Sequence, residues 1–531
     1  MKLFQTMTKV YNACLNRRNL SDGARWDFYS CFILFAILLC QASNWFGSPL
    51  FMDCYYHLCV VRGFSDAGGW VGEAFWEYAP VGRPHLYPPF FHLFELMLFD
   101  CGVRLMTIAR LFDFITYPFL LGAVWFVLRL LCSKRIAFFS LLLLSSSFSL
   151  FIAITSNIPC ALAFLFGLFS FVCLRKKRVL SASLLLALSF YTHSLMSWLF
   201  LLAFFLYCGF ERKEARRILL VCLSALVLAA PLLWHEFYYV SFIRSVRALE
   251  FYYADLSPVL YILSLAGIIL CFRKKRSSLY FFIILMLAMS VLLFTHRDRF
   301  LSGIGLIPIS ILAALSLDEL WAYLKKRNFN KRLFVYLFAV VFVFYFTTPI
   351  ISLSPFEQRP VLSLKSSFIN RWGMGGPQTA KAETIYYAKI VDELIQMMKE
   401  NSLVDDIFFF NYPYGGGMMS ALAHRAMSTA MLVEVKPFYE LDPVMSARFV
   451  FLFKDPKDVY YQVLPLLIDR YGLKEVAQNQ VACLYEHRCS AIRRVIKAVV
   501  PAKVCFILLF LVFVMIVADI SFFSKSYVKR S

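Results

Sequence analysis

The segment from Ser48 to Gly102 decides how the rest of this chain reads. It carries Met52-Asp53-Cys54-Tyr55-Tyr56-His57 and, further on, Arg83-Pro84-His85-Leu86-Tyr87-Pro88-Pro89-Phe90-Phe91-His92. It is the longest interruption between hydrophobic runs in the first two-thirds of the chain. Asp, Glu, His, Arg and Trp gather there in an otherwise greasy sequence. Working outward, everything turns on which side of which barrier this polar segment lies.

The chain has 531 residues, 60% of them hydrophobic, with 57 Phe and 16% charged residues. A soluble protein of this size could not hide that much apolar surface, so the composition indicates a polytopic α-helical membrane protein. The formal net charge of +21 does not point to nucleic acid. The basic residues come in short clusters between apolar runs, as the positive-inside rule expects, and anionic lipid headgroups are a sufficient partner. Most of the 15 cysteines lie in hydrophobic runs, where a thiol behaves as a small apolar group, and none shows zinc-type spacing. Cys483 and Cys489 are the exception: both lie in a soluble stretch and could pair if it is extracytoplasmic, although spacing alone does not fix the geometry.

A span needs about 20 mostly apolar residues. The sequence supplies about 12 candidates: 28–47, 110–131, 136–153, 158–174, 179–192, 196–209, 218–234, 258–271, 278–294, 301–317, 333–348 and 499–521. Basic clusters at Lys134-Arg135, Arg175 to Arg178, Arg212 to Arg217, Arg273 to Arg276, Lys325 to Arg332 and Lys525 to Arg530 fall in every second connection. That alternation places both ends in the cytoplasm. The N-terminal apolar run shows no small-residue cleavage site and reads as a retained span. The domains expected are a transmembrane module at 1–348 with its first extracytoplasmic loop at 48–109, an outer α/β domain at 349–498, and a final span with a cytoplasmic tail at 499–531.

All eight histidines (His57, His85, His92, His193, His235, His296, His424 and His487) then fall on the extracytoplasmic side. No span carries a charge at its middle; Arg129 and Asp519 lie near cytoplasmic ends and Asp113 near the other. Transporters need ionisable groups or broken helices at mid-membrane depth, so chemistry at one face is favoured over passage. In the outer domain, a helix is expected over 383–400, a buried strand at 405–410, and a turn at Gly415-Gly416-Gly417. A second strand at 447–453, a helix at 457–471 and a hairpin over 474–486 follow.

Five places carry candidate chemistry. Asp53 sits just beyond the first span, where a carboxylate stays ionised without the ~2.5–3.5 kcal/mol cost of the membrane centre. On a helix His57 would share its face and could tune a general base; the alternative is a solvated acid beside an aromatic belt. Tyr87 to Asp100 is apolar, too short to span, and reads as an interfacial helix. Thr295-His296-Arg297-Asp298-Arg299 puts two guanidinium forks at an interface, suited to a phosphate, or else an Asp298–Arg pair that only ends two helices. His193, in a short outer turn, is a ligand or a capped structural group. Trp234-His235-Glu236, with Arg244 and Arg247, reads by default as a solvated rim.

An acid just after the first span, the Gly82-Arg83-Pro84-His85-Leu86-Tyr87-Pro88-Pro89 element and Arg110 opening the next span together resemble the GT-C superfamily. These are multi-pass transferases using polyprenyl-phosphate-linked sugars, among them oligosaccharyltransferase catalytic subunits and protein O-mannosyltransferases. The resemblance spans most of the chain by layout and about forty residues by motif. It implies that Asp53 is the first-loop acid, serving as base or metal-site residue, and that Arg297 and Arg299 grip the lipid phosphate. Two departures stand out. Ile154-Thr155-Ser156-Asn157-Ile158-Pro159 lacks the second acidic pair, and the Trp-Trp-Asp-Tyr-Gly element is absent. Both argue against protein N-glycosylation and against a tightly held divalent metal.

The expected protein is a GT-C-like glycosyltransferase that moves a sugar from a polyprenyl-phosphate donor, such as a dolichol-type carrier, to a hydroxyl acceptor on a glycan or glycolipid. Asp53 and His57 are the expected catalytic residues. His85, Tyr87, His193, His296, Arg297 and Arg299 are the expected substrate and lipid-phosphate contacts. The sequence assigns no cofactor; the candidate metal is a divalent one, Mg or Mn, at Asp53. The expected location is a prokaryotic plasma membrane rather than the endoplasmic reticulum, with the site extracytoplasmic. Competing readings are a protein glycosyltransferase, or a lipid-linked glycan transporter or assembly factor without its own chemistry.

Overall fold

The computed structural model describes residues 22–43, 45, 53–156, 158–244, 254–274, 277–327, 330–353, 361–365, 379–431, 434–488 and 491–528. They fall into two compact units. One is built from Met1–Ser43, Tyr117–Phe151 and Phe251–Trp372, the other from Asn44–Thr116, Ile152–Glu250 and Gly373–Ser531.

Among the described residues six helices are long and apolar enough to cross a membrane: Gly23–Ser43, Leu105–Leu131, Ile158–Arg175, Arg212–Tyr238, Arg297–Lys326 and Ala502–Ser521. A seventh is the bent pair Lys134–Ser146 and Phe148–Thr155, turned by 79°. Ser147 causes the break: it leaves the helical region, and its hydroxyl accepts from Leu150 N at 3.2 Å, an N-cap for the second segment. At the five other positions marked in the sequence stand shorter apolar helices, Val179–Phe190, Ser194–Phe210, Pro258–Arg273, Leu279–Phe294 and Val335–Phe346.

Charged helix ends gather within each unit. In the first, Arg129 and Lys134 both pair with Asp27, at 2.8 and 2.7 Å, while Arg135 pairs with Asp318 and Lys274 with Glu319. In the second, Asp519 accepts from Ser181 N at 3.2 Å, and the Arg178 guanidinium donates to its backbone carbonyl. Pairing at the ends of spans is where a membrane tolerates charge. The basic connections marked in the sequence therefore share an end in each unit. The first unit also holds a three-stranded antiparallel sheet of Ala254–Leu256, Thr348–Leu353 and Val361–Lys365, which the sequence reading did not anticipate.

The second unit contains the first loop and the α/β fold together. A five-stranded mixed sheet runs in the order Lys474–Gln478, Ala482–Glu486, Phe449–Phe453, Ile407–Phe410 and Ala426–Met427. Its two central strands are parallel (Phe408 opposite Phe449) and buried on both faces, which explains their continuous apolar runs. The expected strands, hairpin and the helix Thr379–Asn401 are all found; the helix expected at 457–471 is split into Val459–Gln462 and Leu464–Tyr471 at Val463, the second carrying Pro465 in its first turn.

The glycine triplet is not a turn. It lies inside the helix Pro413–Ala423, which packs across the sheet. A Cβ at Gly416 would fall 2.6 Å from the Phe410 side chain and one at Gly417 1.7 Å from the Met431 sulfur. Close approach, rather than a bend, is the reason for three glycines, and single-sequence turn chemistry could not distinguish the two. Cys483 is a buried free thiol in its strand, while Cys489 lies outside the described residues, so the expected pairing does as well.

Candidate active site

The first loop begins with the helix Asp53–Ala67, whose first turn carries Asp53, a favourable place for a carboxylate against the helix dipole. Asp53 is exposed, whereas the next ten positions are largely closed off. The helix then becomes part of the α/β fold. Cys59 Sγ donates to Gly417 O at 3.3 Å. Asp66 accepts from His424 Nε2 at 2.9 Å and from Arg493 at 2.6 Å. Gly69 and Trp70 pair with Pro501 and Val500. Burial alone would raise the Asp66 carboxyl, but its bonds to His424 and Arg493 hold it below the usual range.

After this helix the chain turns through Glu77 and Arg83, both fully enclosed. Arg83 Nε donates to Glu77 Oε2 at 2.8 Å, and Glu77 Oε1 accepts from Met431 N at 2.8 Å. Arg83 also reaches the Tyr56 hydroxyl at 3.4 Å. A buried ion pair is tolerable only when its remaining donors and acceptors are satisfied, as they are here.

His57 does not turn toward solvent with Asp53. Its Nδ1 meets His92 Nε2 at 2.9 Å, and burial pushes its imidazole down to about 3. Burial also holds His85 and His92 well below their ordinary value, and raises Glu95 on the same loop helix. The His85 ring lies edge-on to Phe64 and Trp76, and neither of its nitrogens has a partner among the described residues. Three neutral imidazoles thus form the inner layer of the loop. The expected interfacial helix is Phe90–Asp100: Phe91, Leu93 and Leu96 are buried while Phe94 and Met97 are exposed.

In front of this layer opens a cavity of about 280 Å³, lined chiefly by Tyr56, Arg83, Tyr87, His193, Ser194 and Glu236. Tyr87 meets His193 edge to face at 6.2 Å, so two of the expected contacts share one wall. His193 also caps the next helix, its Nδ1 accepting from Met196 N at 3.4 Å, which is the structural reading of this residue. The Ser194 hydroxyl donates to Glu236. Sequence reasoning missed Glu236, Tyr56 and Arg83. Glu236 lay in an apparent rim, yet on the helix Ala215–Tyr238 its carboxylate faces the loop, and His235 Nε2 donates to His85 O at 3.0 Å. Tyr56 stands one helical turn after Asp53, a spacing that puts the two on neighbouring positions of one face.

His296, Arg297 and Arg299 lie in the other unit, on the short helix Arg297–Leu301 and at its cap. Arg297 Nε donates to Leu293 O at 3.2 Å. Among the described residues neither arginine pairs with Asp298, so the alternative of a helix-ending ion pair is not seen there. Burial and the Arg299 charge lower the His296 imidazole. Among the described residues no three His, Cys, Asp or Glu side chains converge to hold a metal ion. Asp53 joins no such set there.

No protein-family model matches the sequence, and no curated protein matches it. Solved structures do. The likeness is one of fold, at 12–13% identity. The oligosaccharyltransferase AglB from Archaeoglobus fulgidus, in complex with an inhibitory peptide and a dolichol-phosphate, aligns with a TM-score of 0.54 at 12% identity. It covers 87% of this chain and 74% of that one. An oligosaccharyltransferase structure from the same organism, in complex with Zn and sulfate, gives 0.53 at 12% identity over 86% and 73%. ArnT from Cupriavidus metallidurans, bound to undecaprenyl phosphate, covers 82% and 98% at 13% identity, with a TM-score of 0.47.

Proposed function

We propose that this chain is an extracytoplasmic glycosyltransferase that transfers a sugar from a polyprenyl-phosphate-linked donor to a hydroxyl acceptor on a glycan or glycolipid. The observation that carries this reading is the cavity walled by Tyr56, Arg83, Tyr87, His193, Ser194 and Glu236 beneath a GT-C first loop.

In this reading Asp53 takes the proton of the acceptor hydroxyl. The acceptor oxygen bonds to the anomeric carbon as the bond from that carbon to the phosphate oxygen breaks, and the electron pair leaves with the lipid phosphate. Arg297 and Arg299, unpaired with Asp298 among the described residues, keep the lipid-phosphate-binding role that the resemblance implies. His57 does not exchange protons; held neutral against His92, it positions the helix that presents Asp53. Tyr87, His193 and the Ser194–Glu236 pair offer an aromatic wall and hydroxyl-binding groups for the sugar, with His85 behind them. Loss of transfer on chelation, restored by Mg or Mn, would place a divalent metal at Asp53.

The same proposal counts the bent pair and the five shorter helices as spans, giving twelve, with both ends cytoplasmic in a prokaryotic plasma membrane. The test is transfer in membranes supplied with lipid-linked sugar. Asp53→Asn should abolish transfer and leave the donor accumulating on the outer face. Full activity in that variant removes Asp53 as the base, and accumulation on the inner face points to a flippase.

A further inference from the structure

A second cavity, of about 300 Å³, opens in the unit that holds the first loop. It lies among the turn Tyr78–Val81, the segment Ser428–Ala430, Arg244 and the stretch Pro437–Ser446. Its relation to the first is set by a short strap. Ile243 bridges Val435 in antiparallel fashion, Arg244 N donates to Glu434 O at 2.7 Å, and Lys436 N donates to Phe242 O at 2.8 Å. Ile243 has extended backbone, and side chains alternate along such a segment. Ile243 and Val435 accordingly line the first cavity and Arg244 the second, so the two share the strap as a wall.

Three observations give the second cavity the character of a binding site. Tyr78 has a φ of 50°, a conformation costly for a residue with a Cβ that marks ligand sites more often than chance. It is held there by Tyr78 N donating to Thr429 O at 2.9 Å and Gly82 N to Tyr78 O at 2.9 Å. The Thr429 hydroxyl is buried at the cavity wall without a partner among the described residues, and an orphaned buried hydroxyl costs about 1–3 kcal/mol unless something meets it. Opposite stand Tyr439, 67% exposed, and the Arg244–Glu440 pair at 3.4 Å.

We infer that this cavity binds the terminal rings of a saccharide, a reading that rests on the proposed transfer and specifies the acceptor. Two tyrosine faces suit the C–H faces of a sugar ring, while Thr429, Arg244 and Glu440 suit its hydroxyls. A peptide would bind most readily by adding a strand, but the backbone here is already committed. Ala79 N donates to Met427 O at 3.0 Å, Met427 N to Trp76 O at 3.0 Å and Ser428 N to Phe408 O at 2.9 Å. The loop occupies the edge that a peptide would need, which leaves recognition to side chains.

The test is binding to the full-length protein in detergent, read by saturation-transfer NMR and calorimetry. The probes are a panel of neutral and uronic-acid-containing oligosaccharides and, separately, a pool of random hexapeptides. At least one oligosaccharide should bind. Tyr439→Ala and Thr429→Val should each weaken it about five- to tenfold at unchanged Tm, while Asp53→Asn leaves binding intact. Absence of saccharide binding, affinities unmoved in both variants, or hexapeptide binding with the same residue dependence overturns the inference. Saccharide binding that depends on Tyr439 in a protein whose Asp53→Asn variant still transfers sugar removes the proposed catalytic role and leaves the cleft standing.

Discussion

Arg83 and Glu77 face each other with Nε and Oε2 2.8 Å apart and both side chains closed to solvent, and Arg83 also lines the candidate active-site cavity. One side of this pair supports the fold and the other the site. Removing a single partner strands a buried charge, at a cost of ~3–5 kcal/mol. Glu77→Gln and Arg83→Met should each lower Tm in detergent sharply, measured by scanning fluorimetry. The double variant should recover much of the loss in stability, with the cavity's ligand affinity still impaired. Equal losses in single and double variants would show that the pair is not coupled.

The buried imidazoles predict an acid-sensitive fold. Folded values below the unfolded value of ~6.5 mean that the unfolded chain binds more protons, so stability is full above ~6.5 and falls as pH drops below it. With His57 near 3 when folded, the loss is on the order of 2 kcal/mol for this residue by pH 5. Denaturant midpoints should decline from pH 7 to pH 5, and His57→Phe should flatten the decline.

Asp66 predicts a second, lower window. Its folded value lies below the usual ~3.9, so its contribution is present above that value and is lost as pH falls through the folded value. Asp66→Asn should destabilise the protein at neutral pH and remove the part of the acid transition below about pH 4. An unchanged acid limb in that variant would sever Asp66 from it.

Gly417 predicts a steric effect with a specific cure. A side chain there meets the Met431 sulfur, and overpacking costs ~1–3 kcal/mol. Gly417→Ala should lower Tm, and Met431→Ala in the same chain should restore part of it. Failure of the second change to compensate would mean the helix, not the contact, resists the substitution.

The sequence was informative wherever the signal is local. Apolar runs, basic connections and the sheet hairpin follow from composition and spacing within a few residues. Tyr87 and His193 were visible as candidates because each breaks an apolar pattern. Glu236 was not, since nothing nearby distinguishes an acid facing a cavity from one facing water; its partner Ser194 is 42 residues away. The His57–His92 contact, 35 residues apart, was obscured by the shorter-range expectation that His57 would serve Asp53. The glycine triplet misled because sterics and flexibility call for the same residue.

The bond from Cys59 to Gly417 joins positions 358 residues apart. At ~5–20 residues per second of synthesis, the first loop waits ~20–70 s before its packing partner exists. Throughout that interval Phe64 and Trp76, buried in the finished protein, have nothing from the α/β fold to cover them. A segment made late therefore completes one made early, and a chain cut short before Gly417 leaves its proposed catalytic loop without a floor.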